Sequence, residues 1–276
     1  MPIRAHFIFI SVLLVATAAC GQTSPKSPDS DSVRLEHVHG LGINPADGSL
    51  YAGTHTGVYR ITSDAAPVGP RQDTMGFTVL GANEFLASGH PADASQPNPL
   101  GLIESKDAGR SWKSVDFGGE SDFHAIDNSG GTTYAYSSTS EELFRSSGTS
   151  GFSVIGRYPV YDIAADPREA DRLLLTSDTG ELKMLSGGKE PIPVPDAPVM
   201  GVIDFDDDGA AVGFGPDAEV YVSLDGGTRW KQVSTLSRPV EAALASTEGW
   251  FAATADGIVK STDGGKTWVT YYRVES

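Results

Sequence analysis

The sequence predicts an all-β chain built from six repeats, each a sheet of four short antiparallel strands. Three observations carry this reading. Short strands of alternating polarity, bounded by Gly, Asp and Pro, recur from Val38 to the C-terminus. The first strand of each repeat begins near His39, Met75, His124, Tyr161, Met200 and Glu241, giving spacings of 36, 49, 37, 39 and 41 residues, the length of one four-stranded unit. The octets SKDAGRSW (105–112), SLDGGTRW (223–230) and STDGGKTW (261–268) share one pattern at one place in their repeats.

Taken in order, the first strands read HGLGINP, MGFTVLG, HAIDNSG, YDIAADP, MGVIDFD and EAALAST. The second strands follow as LYAGT, EFLASG, TYAYSS, LLLTSD, AAVGFG and WFAATA. GVYRIT, LGLIES, ELFRSS, ELKMLS, EVYVSL and GIVKST are the third strands, and the octets turn from a third strand into a fourth. The first, third and fourth repeats carry no such octet. Residues 33–35 are a candidate for closing the ring against the last repeat.

The octets resemble Asp-boxes, SxDxGxTW, with Ser111 and Arg229 replacing Thr in the first two. Three of them make the chain similar to the BNR/Asp-box superfamily of β-propellers, which includes sialidases, sortilin-type receptors, photosystem assembly factors and exported lipoproteins labelled glycosylhydrolase. The resemblance implies a single six-bladed β-propeller over residues 33–276. It also implies a structural box: Asp and Ser bond the turn backbone, Gly takes a positive φ and Trp packs between sheets.

The N-terminus points to export. Arg4 precedes the apolar run FIFISVLLVATAA (7–19), the pattern of a signal peptide and too short to span a bilayer. The following Cys20 is the only cysteine, which excludes an internal disulfide. TAAC resembles the bacterial lipobox, with Thr17 in place of the usual leucine, which implies a lipid on Cys20. Residues 20–32 then form a flexible tether on the outer side of the bacterial membrane. The chain carries 20 basic and 36 acidic residues, which argues against nucleic acid as a partner. We expect a monomer.

The leading residues of the six first strands form a polar, titratable ring around the channel, where a merely packed one would hold small aliphatic side chains. The five histidines beyond the leader, His37, His39, His55, His90 and His124, all fall on one face of the first three blades. His37 precedes a first strand, whereas His55 and His90 follow second strands. Imidazoles bind zinc and copper, and thioethers select copper, so these histidines with Met75 and Met200 predict a copper or zinc site. The expected function is binding of a soft metal, another small ligand or a protein at the channel mouth.

Resemblance to sialidases implies an alternative, glycoside hydrolysis. It needs a tyrosine nucleophile with a glutamate, three arginines and an acid. Tyr161, Glu241, Arg71, Arg157, Arg238 and Asp122 are the matching residues. No FRIP-like segment precedes the first blade. A third alternative is an assembly platform for a protein partner. DFDDDG (204–209) matches half a calcium loop, but Gly215 stands where a bidentate glutamate is required, so it reads as an acidic turn.

Overall fold

A computed structural model describes residues 35–274; the segments read as leader (1–19) and tether (20–32), Cys20 included, lie outside the described residues. Six four-stranded antiparallel sheets follow one another along the chain, each with its strands paired in sequence order. Blade one holds β1 (Val38–Asn44), β2 (Ser49–Thr54), β3 (Gly57–Ile61) and β4 (Ala65–Val68), and blade two holds β5 (Asp73–Gly81), β6 (Glu84–His90), β7 (Leu102–Ser105) and β8 (Lys113–Asp116). In blade three are β9 (Phe123–Ser129), β10 (Thr132–Ser137), β11 (Glu142–Ser146) and β12 (Ser153–Arg157). Blade four contains β13 (Asp162–Ala165), β14 (Arg172–Thr176), β15 (Leu182–Ser186) and β16 (Ile192–Pro193). Blade five contains β17 (Val202–Phe205), β18 (Ala211–Phe214), β19 (Glu219–Ser223) and β20 (Lys231–Thr235), and blade six β21 (Val240–Leu244), β22 (Trp250–Thr254), β23 (Gly257–Ser261) and β24 (Val269–Arg273).

The core is six separate interfaces between neighbouring blades. One apolar cluster joins blades one and two through Tyr51, Phe77 and Phe85, and another joins blades five and six through Val212, Phe214 and Trp250. Second strands are therefore covered on both faces; β2, β18 and β22 are buried at every position, which explains their near-continuous apolar runs. The inner strands β1, β5, β9, β13, β17 and β21 contact one another in order, and β1 meets β21 to close the ring. Close approach demands glycine on this inner circle. A Cβ on Gly40 would lie 2.5 Å from the Phe77 carbonyl oxygen, and one on Gly76 would lie 2.5 Å from that of Phe123.

All four strands of blade six come from its own segment. Leu35 adds no strand; it packs with Val274 on the apolar cluster shared by blades one and six. The seam is also crossed by a hydrogen bond, from Val38 N–H to Glu241 Oε2 at 3.0 Å.

Each S-x-D-x-G-x-x-W octet is a turn from third to fourth strand. In the first, Gly109 N–H donates to Ser105 Oγ (2.8 Å), Ser111 N–H to Asp107 Oδ1 (2.8 Å) and Trp112 Nε1–H to Gly109 O (3.1 Å). The same three bonds recur around Ser223, Asp225 and Trp230 and around Ser261, Asp263 and Trp268. Arg229 substitutes for Thr by donating Nε–H to Asp225 Oδ2 at 2.6 Å. Each Trp packs against the cluster shared with the preceding blade.

Ser223 is fully buried, and Ser223→Ala would leave the Gly227 N–H without its acceptor. A loss of about 1–3 kcal/mol in urea unfolding is expected.

Candidate functional site

A cavity of about 770 Å³ runs along the axis, lined by residues of all six inner strands. Its mouth lies on the face opposite the octet turns. Local strand geometry explains how side chains reach it. In the β1–β2 pairing, Val38 faces Thr54 and Gly40 faces Gly53, so His39 is an extra, bulged residue. The same irregularity leaves Met75 unpaired in β5, His124 in β9 and Glu241 in β21. A bulge bends its strand and re-aims the side chain, and here it occurs at the leading position of four blades.

Three histidines converge at the mouth of blade one. His37 takes a left-handed backbone, φ 45°, which non-glycine residues adopt uncommonly. Its ring stacks on that of His39, with centroids 4.9 Å apart and an interplanar angle of 4°. His55, in the β2–β3 turn, meets His39 edge-on at 4.5 Å. One nitrogen from each of the three lies within 4.8 Å of the other two. His39 Nε2 and His55 Nε2 are 3.4 Å apart. On its other side, His55 Nδ1 lies 2.9 Å from Asp73 Oδ1. A carboxylate only accepts, so Nδ1 carries the proton and a neutral His55 turns a bare Nε2 toward His39. Burial, reinforced by His55, His37 and His124 and opposed by Asp122, lowers the His39 pKa from 6.5 to about 3. His39 is thus neutral, as a metal ligand must be, throughout the physiological range.

The other two histidines form a separate group. His124 Nε2 lies 2.7 Å from Asp122 Oδ2, His90 Nε2 lies 3.4 Å from the same oxygen, and His90 Nδ1 lies 2.8 Å from Asn98 Oδ1. The five histidines therefore share a face but divide into three and two. Met200, expected beside them, does not join them. Met200 is fully buried in the cluster between blades four and five, its sulfur against Gly213, because β17 starts two residues later and has no bulge at that position. Met75 is bulged at the leading position of β5, as His39 and His124 are in β1 and β9.

The residues matching sialidase machinery are not assembled either. Tyr161 and Glu241 line the cavity, but Arg71, Arg157 and Arg238 do not. Arg71 donates to the Tyr59 hydroxyl, Arg157 pairs with Glu142 at 2.6 Å and Arg238 with Asp256 at 3.0 Å. Each arginine has found its partner beside its own blade. Asp122 is engaged by the two histidines, and Glu241 holds the Val38 N–H. Tyr161 is 54% exposed, its ring over Gly201. Its hydroxyl pKa is raised by partial burial and by the nearby Asp162 and Glu241.

Four acids of the site fall outside the sequence-based expectations. Asp73 has a legible signal. Two residues before each leading position stand His37, Asp73 and Asp122 in blades one to three, and Pro159, Pro198 and Pro239 in blades four to six. At this one position polar side chains are confined to blades one to three. Asp127, Asp162 and Asp204 line the cavity wall deeper in, each accepting from its own next residue and from a backbone N–H of the neighbouring inner strand. Burial raises all three pKa values, that of Asp162 to about 7. DFDDDG is an acidic turn: Asp206 accepts from Ala210 N–H and Asp207 from Thr247.

No protein-family model and no curated protein matches this chain. Solved structures do. A structure named as YCF48 bound to D1 peptide is 15% identical over 85% of this chain and 82% of that one, with a TM-score of 0.53. Virginiamycin B lyase from Staphylococcus aureus is 12% identical, covering 87% and 86%, with a TM-score of 0.59. A GH74 enzyme of Niastella koreensis is 17% identical with a TM-score of 0.58; the match spans 86% of this chain but only 38% of that enzyme. At these identities the likeness is one of fold.

Two outcomes follow from the site's walls. Met200→Ala should cost about 2–5 kcal/mol of stability through a cavity between blades and leave metal content unchanged, which unfolding curves and elemental analysis would check. Asp162 has a folded pKa raised above its ordinary 3.8, so its favourable contribution is present below that value and lost as pH rises through about 7. Asp162→Asn is therefore expected to flatten the fall in stability between pH 5 and pH 8, measured by urea unfolding at both.

Proposed function

We propose that this chain is an exported, lipid-anchored Asp-box propeller that binds a transition-metal ion at its channel mouth through His37, His39 and His55. The observation that carries the proposal is the 3.4 Å separation of His39 Nε2 and His55 Nε2. Two ligands each about 2.0–2.1 Å from a tetrahedral metal stand roughly 3.3 Å apart, so this pair is already set at coordination distance. Asp73 presents the His55 nitrogen by holding the opposite edge of its ring, and His39 sheds no proton on binding. Three protein ligands leave a further position for water or a small ligand.

An all-imidazole set suits Zn²⁺ or Cu²⁺. Met200 is a core residue and offers no thioether to the mouth. Export and lipidation rest on the 7–19 apolar run and Cys20, and the Asp-box assignment on the three octet turns. The sialidase-like reading is not favoured, because its three arginines are paired elsewhere. A platform for a protein partner has one observation behind it: Tyr161 and Val199, just before β13 and β17, are 54% and 55% exposed. YCF48, named as bound to a peptide, shares the fold.

Metal content measured by mass spectrometry after loading with zinc or copper and desalting tests the proposal. The His39→Ala, His55→Ala double variant should hold one equivalent less than the parent. Equal content in both would refute the site.

A further inference from the structure

The mouth carries a second constellation that the three-histidine reading leaves unused. Asp122 is 8% exposed, and its Oδ1 is buried without a hydrogen-bond partner. Its Oδ2 faces His124 Nε2 at 2.7 Å and His90 Nε2 at 3.4 Å. Beyond His90, Asn98 Oδ1 lies 2.8 Å from Nδ1. A neutral His90 that donates its Nδ1–H to Asn98 turns a bare Nε2 on the carboxylate, lone pair against lone pair. A buried carboxylate whose one oxygen is unpartnered, and whose other oxygen has the His124 N–H as its one donor and meets a nitrogen lone pair besides, is under-compensated charge in a poorly solvated place. A cation answers both deficits.

We propose that His90, Asp122 and His124 form a second divalent-cation site, separate from His37, His39 and His55. Ligand atoms about 2.0–2.2 Å from a common ion stand roughly 2.8–3.6 Å apart, from right-angled to tetrahedral geometry; His90 Nε2, 3.4 Å from Asp122 Oδ2, falls within that range, and His124 Nε2, at 2.7 Å, needs only a small outward shift. The group is more open than the three-histidine cluster, and His90, with a side chain 43% exposed at the end of β6, is the ligand free to swing inward. On binding, the ion takes the place of the proton between His124 Nε2 and Asp122, and His124 carries its proton on Nδ1 instead. Two imidazoles with a carboxylate make a harder donor set than three imidazoles, one suited to Mn²⁺, Fe²⁺ or Zn²⁺. The mouth then holds two neighbouring cation sites of different chemistry, one on blade one and one spanning blades two and three.

The test is calorimetric titration of metal-free, tag-free protein with Zn²⁺ and separately with Mn²⁺, with thermal melts to show that each variant is folded. The parent should bind two Zn²⁺, and Asp122→Asn, His90→Ala and His55→Ala one each. Mn²⁺ should bind His55→Ala as it binds the parent and fail to bind Asp122→Asn. His90 is half-exposed, so His90→Ala keeps the test open if Asp122→Asn does not fold. A single Zn²⁺ that survives Asp122→Asn and His90→Ala but not His55→Ala would overturn the second site and leave the first standing. A single Zn²⁺ lost on Asp122→Asn but kept by His55→Ala would refute the first site and uphold the second. One ion lost in both variants would mean a single shared site, and would overturn the separation proposed here.

Discussion

Six blades whose strands pair only within their own sheets must still be joined to one another. A side chain crosses every junction. Glu241 accepts the Val38 N–H between blades six and one, Asn44 accepts the Asn83 N–H between one and two, and Ser88 accepts the Phe123 N–H between two and three. Asp127, Asp162 and Asp204 do the same for the Ala165, Ile203 and Ala245 N–H groups of the last three junctions. Each bond satisfies a buried donor that would otherwise cost about 1–3 kcal/mol, and each fixes the height of one blade against the next. Carboxylates in this role carry a desolvation penalty, visible as raised pKa values.

The site is a by-product of the same closure. The ring fixes where the inner strands begin, and a bulge at the first pairing position bends His39, His124 and Glu241 toward the axis. Glu241 both latches the seam and stands 3.9 Å from His37 Nδ1. The histidine cluster therefore sits at the joint between the first and last blades, where the relative position of strands depends on closure being complete. Blades four to six, with proline two residues before the leading position, contribute an apolar and acidic wall instead.

Much of this was legible in the sequence. The octets and the 36- to 49-residue spacing gave the phase of the blades, and the leading positions named from that phase proved to be bulges in four of them. The failures have a common cause: alternation tells which face of a strand a residue takes but not whether its strand bulges. Without a bulge, Met200 turns into the interface between blades four and five and lies against Gly213. The arginines pair with Glu142, Asp256 and Tyr59, neighbours that a single-strand alignment does not see. Asp73 is marked only by the contrast two residues before each leading position, His or Asp in blades one to three against Pro in blades four to six.

The proposed metal site rests on closure setting His39 and His55 at coordination distance with His37 beside them. Anomalous diffraction at the zinc absorption edge, from crystals soaked in zinc, tests it most directly. The account predicts a peak about 2.0–2.1 Å from His39 Nε2 and His55 Nε2, with His37 completing the set and Asp73 still bonded to His55. No peak at blade one, with the two Nε2 atoms still sharing a hydrogen bond, would contradict it.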